Sequence, residues 1–242
     1  MGRKRADVLL VERGLFESRA KAQAAIEAGL VQANGATVRK ASEEVARDAA
    51  IEASSAHPYV SRGGVKLAAA LDHFGIDPKC RICLDVGAST GGFTQVLIGR
   101  GAARVHAVDV GKAQLHASLR GRPEIVSLEE TDIRTLSAAA FTEAPSLVTI
   151  DVSFISLKQV LPAVSALAAP AATLVALIKP QFEAGRKRVK KGVVRDAAVH
   201  QAVCDDIAAS IAALGWSISG VIPSPIAGGD GNVEFLLGAT RG

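Results

Sequence analysis

The sequence predicts an α/β protein in which a small N-terminal α+β module precedes a doubly wound, mostly parallel sheet. Three observations lead to this prediction. The chain has 242 residues, which is more than one typical domain. Its hydrophobic content of 49% is enough to bury a sizeable core. After residue 60, short apolar runs alternate with helical segments, as they do around parallel sheets.

The first module covers residues 1–60, and the second covers residues 61–242. In the first, Ala6–Arg13 is a helix candidate, and Ser18 is suited to cap a second helix that runs to Gly29. Asn34-Gly35 lies between two apolar runs and predicts a β-hairpin. The module therefore combines two short helices with a hairpin.

These residues carry a first resemblance. Arg5-Ala-Asp-Val-Leu-Leu-Val-Glu-Arg-Gly-Leu-Phe-Glu-Ser-Arg-Ala-Lys-Ala22, followed by Ala28-Gly-Leu-Val-Gln-Ala-Asn-Gly35, resembles the S-four fold, the small RNA-binding domain of ribosomal proteins. The resemblance implies that a basic helix face and the hairpin bind folded RNA. The candidate RNA contacts in and next to this module are Arg3, Lys4, Arg5, Arg19, Lys21 and Arg62.

The net charge of +4 is concentrated in two places. Residues 1–40 hold eight Lys or Arg and four Asp or Glu, whereas residues 41–242 hold twenty of each. Within that neutral part, residues 186–195 carry six positive charges and no negative one. Two basic patches favour a polyanionic partner over an ordinary solvated surface. The second patch adds further candidate RNA contacts, namely Arg186, Lys187, Arg188, Lys190 and Lys191.

Seven strands, the first five of them buried, and three helices are predicted after residue 60. The strands are Ile82–Val86, Arg104–Val110, Ile125–Leu128, Leu147–Asp151, Thr173–Ile178, Trp216–Ile222 and Asn232–Leu237. The helices are Phe93–Gly101, Ser156–Ala168 and Ala197–Leu214. No helix separates the last two strands, so we expect one of them to run antiparallel to the rest.

Cysteine usage and hydropathy bear on the environment of the chain. Three cysteines cannot form a disulfide framework, which favours a reducing, cytoplasmic location. Cys80 and Cys83 form the only pair with metal-ligand spacing, and we expect no metal site. Residues 160–178 are uncharged over nearly transmembrane length, but Pro162 and Pro170 interrupt them. We expect a helix and then a buried strand there, and no membrane partner.

A glycine-rich loop follows the first of these strands and opens a helix. Its glycines fit neither the dinucleotide fingerprint nor the phosphate-binding loop of nucleotide hydrolases. An aspartate two residues before the first glycine is typical of S-adenosylmethionine sites, since a carboxylate suits an ammonium and a sulfonium. The candidate cofactor contacts here are Asp85, Gly87, Ala88, Ser89, Thr90, Gly91, Gly92 and Phe93.

The next two strands also end at aspartates. Asp109 ends the second strand, where a carboxylate can accept both ribose hydroxyls, and Asp132 follows the third and could reach the adenine amino group. Val110 and Ile133 complete the predicted cofactor set. A helix cap or a surface loop is the alternative for each aspartate alone, but three at successive strand ends favour S-adenosylmethionine.

The motifs carry a second, more specific resemblance. Asp-Val-Gly-Ala-Ser-Thr-Gly-Gly-Phe-Thr-Gln (85–95) resembles the FtsJ-type ribose methyltransferases, and the whole chain resembles the TlyA family, described both as hemolysins and as ribosomal RNA 2′-O-methyltransferases. The matching segments are Ser61-Arg-Gly-Gly-Val-Lys-Leu67, Asp151-Val-Ser-Phe-Ile-Ser156, Ile178-Lys-Pro-Gln-Phe-Glu183 and Gly231-Asn-Val-Glu-Phe235. The resemblance implies a Rossmann-like sheet, S-adenosylmethionine as cofactor and a ribosomal RNA or ribosomal subunit as partner. It also implies cytidine as the target. Large-subunit members are shorter at both termini, so we expect the large subunit to be the substrate.

The FtsJ-like resemblance further implies a catalytic Lys-Asp-Lys-Glu set, which falls on Lys66, Asp151, Lys179 and Glu234. A ribose 2′-hydroxyl is a poor nucleophile and must lose its proton as it attacks. Because like charges and burial make one lysine of such a pair easier to deprotonate, we take Lys179 as the base. Lys66 would stay charged and stabilise the developing alkoxide, and the two carboxylates would hold the lysines.

Two alternative functions remain open from the sequence. A membrane-active hemolysin would need an amphipathic or spanning segment, and a ribosome-assembly factor would bind RNA without catalysis. A methyltransferase acting on base amino groups is a weaker alternative, because the Asp151-Val-Ser-Phe154 loop is similar to the loop of those enzymes but lacks its two prolines.

Overall fold

The computed structural model describes residues 2–228 and 231–242 and divides into two compact units, one ending at Pro58 and the other beginning at Tyr59. The helices are α1 (Ala6–Glu12), α2 (Arg19–Glu27), α3 (Gly63–Phe74), α4 (Gly92–Gly99), α5 (Leu157–Leu167), α6 (Pro180–Glu183) and α7 (Ala197–Ala212). The short strands of the first unit are β1 (Arg3–Arg5), β2 (Val31–Ala33), β3 (Ala36–Thr37), β4 (Glu44–Ala46) and β5 (Ile51–Ala53). Those of the second unit are β6 (Ile82–Val86), β7 (Arg104–Val108), β8 (Ile125–Leu128), β9 (Leu147–Ile150), β10 (Ala172–Ile178), β11 (Ser217–Pro223) and β12 (Phe235–Arg241).

The first unit is built from two helices and two small sheets. Helix α2 begins at Ser18, whose side chain accepts a hydrogen bond from the backbone N–H of Lys21. Strands β2 and β3 form the predicted hairpin, and Asn34 and Gly35 both have positive φ, as its tight turn requires. Strand β5 joins this hairpin and β1 pairs with β4. Apolar side chains of both helices, including Leu10 and Ile26, form a separate core.

The second unit contains one seven-stranded sheet with the order β11-β12-β10-β9-β6-β7-β8. Five neighbouring strands, from β10 through β8, are parallel, and β12 runs antiparallel between β10 and β11. From the central strand β6 the chain runs outward through β7 to β8. It then returns to β9, on the other side of β6, and continues outward to β10. Ligands of such sheets bind at the carboxyl ends of the strands next to this switch point.

Side-chain alternation along the strands separates two cores. On β10, Leu174 and Ile178 face a cluster formed with α5 and α7, whereas Val175 and Leu177 face a cluster formed with α3 and α4. The sheet is therefore covered by helices on both faces, as expected for buried parallel strands. The predicted fold class is confirmed, including the antiparallel final strand.

Several element bounds differ from the sequence prediction by one or more residues, and three differences bear on the site. Helix α3 was not predicted, because its first turn reads as a glycine-rich loop. Strand β7 ends at Val108 instead of Val110, since the chain turns there to direct Asp109 toward the glycine loop. Strand β12 covers Phe235–Arg241 instead of Asn232–Leu237, because its seven residues pair one by one with the whole length of β10.

The uncharged segment 160–178 is divided between α5 and β10, as predicted. In the described part of the chain, no helix combines the length and the apolar character needed to cross a bilayer.

Candidate active site

Sheet topology brings the four residues of the predicted catalytic set to one edge. Asp151 and Lys179 directly follow β9 and β10, whose carboxyl ends are adjacent. Glu234 directly precedes β12, and because that strand is antiparallel its first residue pairs with Ile178, at the end of β10. Lys66 lies on α3, which packs against β12.

The four side chains form two ion pairs. Lys179 Nζ lies 2.6 Å from Asp151 Oδ1 and donates a hydrogen bond of 2.8 Å to Ser153 Oγ. Lys66 Nζ donates to Glu234 Oε2, and both of these side chains are buried. Lys66, Asp151 and Lys179 line one small cavity of about 190 Å³ together with the glycine loop, whereas Glu234 is not part of its lining. Burying a lysine is costly unless a carboxylate pairs with it, which explains the pairing.

The glycine loop passes very close to the end of β9. Gly87 has φ +81°, and a Cβ atom there would lie 2.5 Å from the backbone oxygen of Asp151. Only glycine permits both the turn and the approach. The loop then leads through Ser89 into α4, where Phe93 packs into the core. Ala88, Thr90 and Gly92 line the small cavity, whereas the described cavities of the site do not include Gly91.

Asp85 lies inside the protein, below the glycine loop. Its side chain is fully buried and does not line a cavity of the site. The carboxylate accepts hydrogen bonds from Thr94 Oγ1 at 2.6 Å and Thr149 Oγ1 at 3.0 Å. Burial raises the pKa of Asp85 to about 7. These hydrogen bonds connect the end of β6 to α4 and to β9, and a direct contact between Asp85 and the cofactor stays a prediction.

A larger cavity of about 440 Å³ lies beside the catalytic pairs. Its lining includes Gly87, Ser89 and three acidic residues, Asp109, Asp132 and Asp151. Asp109 is held by backbone N–H groups of Ser89 and Gly111, both at 2.7 Å, and each of its oxygens keeps a free lone pair for a ribose hydroxyl. An acidic lining suits a cationic, hydroxyl-bearing ligand and disfavours a pyrophosphate, so these residues fit S-adenosylmethionine.

The remaining cofactor candidates also line this cavity. Val110 has 73% of its surface exposed beside it, where an aromatic ring could cover the side chain. Ile133 forms the floor. Asp132 caps a short 3₁₀ helix and pairs with Arg134 at 2.6 Å, which holds the pKa of Asp132 below its ordinary value. Asp132 is therefore a cap as well as a lining residue.

Most RNA-contact candidates of the first unit are paired with acids. Arg5 and Arg19 both bind the buried carboxylate of Asp7, at 3.1 and 2.7 Å. Lys21 pairs with Glu17 at 2.6 Å, Lys4 pairs with Glu12, and Arg3 donates to the backbone oxygen of Glu44. Both arginines keep about half of their side-chain surface exposed, so they still present donors to a ligand.

The basic segment, residues 186–195, is structured. It begins with a 3₁₀ turn and continues with a bridge between Lys190 and Val193. Lys187, Arg188, Lys190 and Lys191 are exposed, as is Arg62 at the start of α3. The side chain of Arg186 lies outside the described part of the structure.

The cysteine pair with metal-ligand spacing is not arranged as a metal site. Cys80 is exposed whereas Cys83 is fully buried, so the pair does not present two ligands to one ion. Among the described residues there is no group of three possible metal ligands.

Three hydroxyl side chains that contact the site's acids or Lys179 were not predicted as site residues, namely Ser153, Thr94 and Thr149. The only signal in the sequence was the position of Ser153 in a strand-end motif.

Comparison with known proteins gives consistent matches. Residues 59–241 match the family model FtsJ-like methyltransferase, and residues 4–51 match the S4 domain. The chain is 45% identical over 238 residues to the 16S/23S rRNA (cytidine-2′-O)-methyltransferase TlyA of Mycobacterium tuberculosis, covering 97% of this chain and 89% of that protein. It is 43% identical over 180 residues to the 23S rRNA (cytidine-2′-O)-methyltransferase TlyA of Campylobacter jejuni, covering 74% and 69%. The solved structure of a candidate hemolysin from Streptococcus thermophilus, 41% identical, aligns with a TM-score of 0.79 over 100% of this chain and 89% of that one.

Proposed function

Because the chain belongs to the FtsJ-like methyltransferase family and is similar over most of its length to TlyA proteins, we propose that it methylates a ribose 2′-hydroxyl of ribosomal RNA. The observation that carries this proposal is the two lysine–carboxylate ion pairs beside the acidic cavity. A methyl transfer to a hydroxyl requires a base and a group that stabilises the oxyanion, and the two lysines can supply both.

The loop 87–93, Asp109, Val110, Asp132 and Ile133 would hold S-adenosylmethionine, which would supply the electrophilic methyl group. Lys179 in its neutral form accepts the 2′-hydroxyl proton at Nζ as the new C–O bond forms and the C–S bond breaks. Asp151 and Ser153 fix the direction of that nitrogen. Lys66, held in place by Glu234, stabilises the negative charge on the oxygen.

The substrate is ribosomal RNA with a cytidine at the target position. The S4 domain match and the exposed cations of both units support a folded, polyanionic partner. Large-subunit RNA is the target shared by the names of the two TlyA relatives, so it is the expected substrate. The working division of the chain remains an RNA-binding domain over residues 1–60 and a methyltransferase domain over residues 61–242.

Methyl transfer from labelled S-adenosylmethionine to ribosomal subunits tests the proposal. We expect the wild-type protein to label large subunits lacking the modification, and Lys179→Met to lose at least about 1,000-fold in kcat while still binding S-adenosylmethionine. The control is Lys158→Met, since Lys158 is exposed on α5 and pairs with Asp206. Full activity of Lys179→Met would contradict its assignment as the base. Dye release from vesicles without any labelling of either subunit would contradict the proposed function itself.

A further inference from the structure

Residues 190–193, the basic turn, reverse the chain within the basic segment. The backbone N–H of Lys190 donates to the oxygen of Val193 at 3.0 Å, and the N–H of Val193 donates back at 3.1 Å. The two central residues, Lys191 and Gly192, have φ +52° and +79°. Positive φ at both central positions is the geometry of a type I′ turn. Both lysines of the basic turn are exposed.

Lysine is an unfavourable choice for the turn itself. Type I′ turns favour Asn or Gly at their first central position, since most other side chains seldom adopt positive φ. A turn of the favoured kind occurs in the first unit, at Asn34 and Gly35. Lys191 therefore contributes a charge that the turn does not need, and other contacts must hold its strained backbone in place.

One such contact comes from Asn232, whose side chain is buried. Its Nδ2 donates to the backbone oxygen of Gly192 at 3.0 Å, and its Oδ1 accepts from the backbone N–H of Val194 at 3.3 Å. A single amide thus bonds the chain on both sides of Val193. Because both partners are backbone groups, the amide fixes the path of the chain and leaves the lysine side chains available to a ligand.

The second contact comes from His200, a buried residue of α7. Its Nε2 lies 3.0 Å from the backbone oxygen of Val194. A carbonyl oxygen only accepts, so Nε2 carries the hydrogen and donates it. Helix α7 packs against α5, α6 and β11, and this bond therefore ties the end of the basic turn to the body of the second unit.

Both anchors also contact the chain that carries Glu234. Asn232 precedes Glu234 by two residues, and its backbone oxygen accepts from the N–H of Gly228, the glycine that packs against that carboxylate. The ring of His200 lies 5.7 Å from that of Phe235, the residue after Glu234. Two buried side chains therefore fix the basic turn and Glu234 to one another.

We propose that His200 and Asn232 are positioning residues for the RNA substrate. They hold the basic turn beside Glu234, so that phosphates bound on the turn bring the target ribose to the catalytic pairs. The inference rests on the proposed function, because it takes RNA as the ligand of the turn. An anchored turn loses little conformational freedom when a phosphate binds, and this raises the affinity.

Binding of the protein to unmodified large subunits tests the proposal, since it needs no turnover. His200→Leu removes the donor, whereas His200→Gln keeps an N–H at a similar reach. We expect His200→Leu to weaken binding about 5-fold or more, and His200→Gln to stay within about 2-fold of the wild type. Gln201→Leu, at the exposed neighbour on α7, is the control. The affinity for S-adenosylmethionine should be unchanged in all three variants.

A double-mutant cycle separates positioning from general stability. When Lys190→Glu and Lys191→Glu are both present, the turn no longer attracts phosphate. His200→Leu should then weaken binding further by less than about 2-fold. Gly192→Ala strains the turn at φ +79° from its exposed side, where a Cβ meets nothing within 4 Å. It should follow the same pattern, and it keeps the cycle informative if His200→Leu does not fold.

The two anchors should differ in their effect on turnover. Asn232→Leu disturbs the chain just before Glu234, so it should weaken subunit binding and also lower kcat about 10-fold or more. His200→Leu keeps an apolar side chain against Phe235, so kcat should stay within about 2-fold of the wild-type value. Methyl transfer at saturating subunit concentration measures this difference.

Two outcomes overturn the inference. One is an equal loss of affinity from His200→Leu with and without the two charge reversals, which would show a general effect on stability. The other is wild-type binding by both His200→Leu and Gly192→Ala. Failure of the wild-type protein to label any subunit would instead contradict the proposed function, and the binding cycle would still decide the inference.

Discussion

At the scale of single residues, the acidic partners of the two lysines depend on neighbouring glycines. Gly87 makes room for the backbone of Asp151, as described above, and Gly228 makes room for Glu234. A Cβ atom on Gly228 would lie 2.0 Å from Glu234 Oε1 and 2.6 Å from its Cδ. Because Glu234 is buried, it has little space to move aside.

Gly228→Ala is therefore expected to displace Glu234 from Lys66. Overpacking of this kind typically costs about 1–3 kcal/mol, and here the displaced group is part of the proposed site. We expect kcat for RNA methylation to fall at least about 10-fold while S-adenosylmethionine binding persists. Gly99→Ala is the control, since a Cβ at this helical position meets nothing within 4 Å. Equal kcat values for the two variants would show that the Lys66–Glu234 contact tolerates the displacement or does not matter for turnover.

At the scale of elements, strand positions could be predicted from apolar runs, but side-chain direction and exact ends could not. The sequence placed Asp85 correctly at a strand end, yet it carries no signal that the carboxylate points inward to Thr94 and Thr149. The extent of β12 depends on pairing with β10, which local composition does not contain. Helix α3, which presents Lys66, starts with two glycines and is stabilised by packing against α4. Tertiary contacts decide these features.

The basic segment has a defined backbone conformation, fixed by a turn and by contacts that follow it. Lys191 and Gly192 have positive φ, which makes the chain reverse between Lys190 and Val193. After the turn, Val194 is buried, and its backbone oxygen lies 3.0 Å from His200 Nε2. Lys190 and Lys191 are thereby held in a tight turn, where both side chains are exposed.

Reversing both charges, Lys190→Glu with Lys191→Glu, should weaken binding to ribosomal RNA. The slope of log affinity against log salt concentration should become shallower by up to about 2, because each lost phosphate contact removes close to one unit. Binding isotherms at several salt concentrations measure this slope. Lys112→Glu with Arg122→Glu, in the exposed connection before β8, makes the same charge change outside the segment. An unchanged slope in the first variant would exclude these lysines as phosphate contacts.

At the scale of the whole molecule, the two units have separate apolar cores. A unit of fewer than 60 residues buries a smaller share of its surface than a larger one and is correspondingly marginal. We therefore expect two unfolding transitions, the first belonging to the N-terminal unit. The single Trp and single Tyr, Trp216 and Tyr59, both lie in the second unit. Their fluorescence consequently reports on the second transition alone, whereas calorimetry reports on both.

The buried Asp7 carboxylate should set much of the stability of the N-terminal unit, and therefore the Tm of the first transition. Its fully buried carboxylate accepts hydrogen bonds from Arg5, Arg19 and Gln23, and these donors hold its pKa well below the ordinary range. Asp7→Asn should cost about 2 kcal/mol of unfolding free energy, lowering the first Tm by roughly 8–16 °C without moving the fluorescence transition.

The stability that Asp7 provides should also depend on pH. A carboxyl group whose pKa is lowered by folding stabilises the folded unit above its unfolded-state pKa, near 4, and this stabilisation is lost as the pH falls below that value. The wild-type first Tm should therefore drop more steeply below pH 4 than that of Asp7→Asn. Asp48→Asn, at an exposed aspartate of the same unit, should change neither quantity, and a similar decrease in both transitions for Asp7→Asn would show that the two units unfold together.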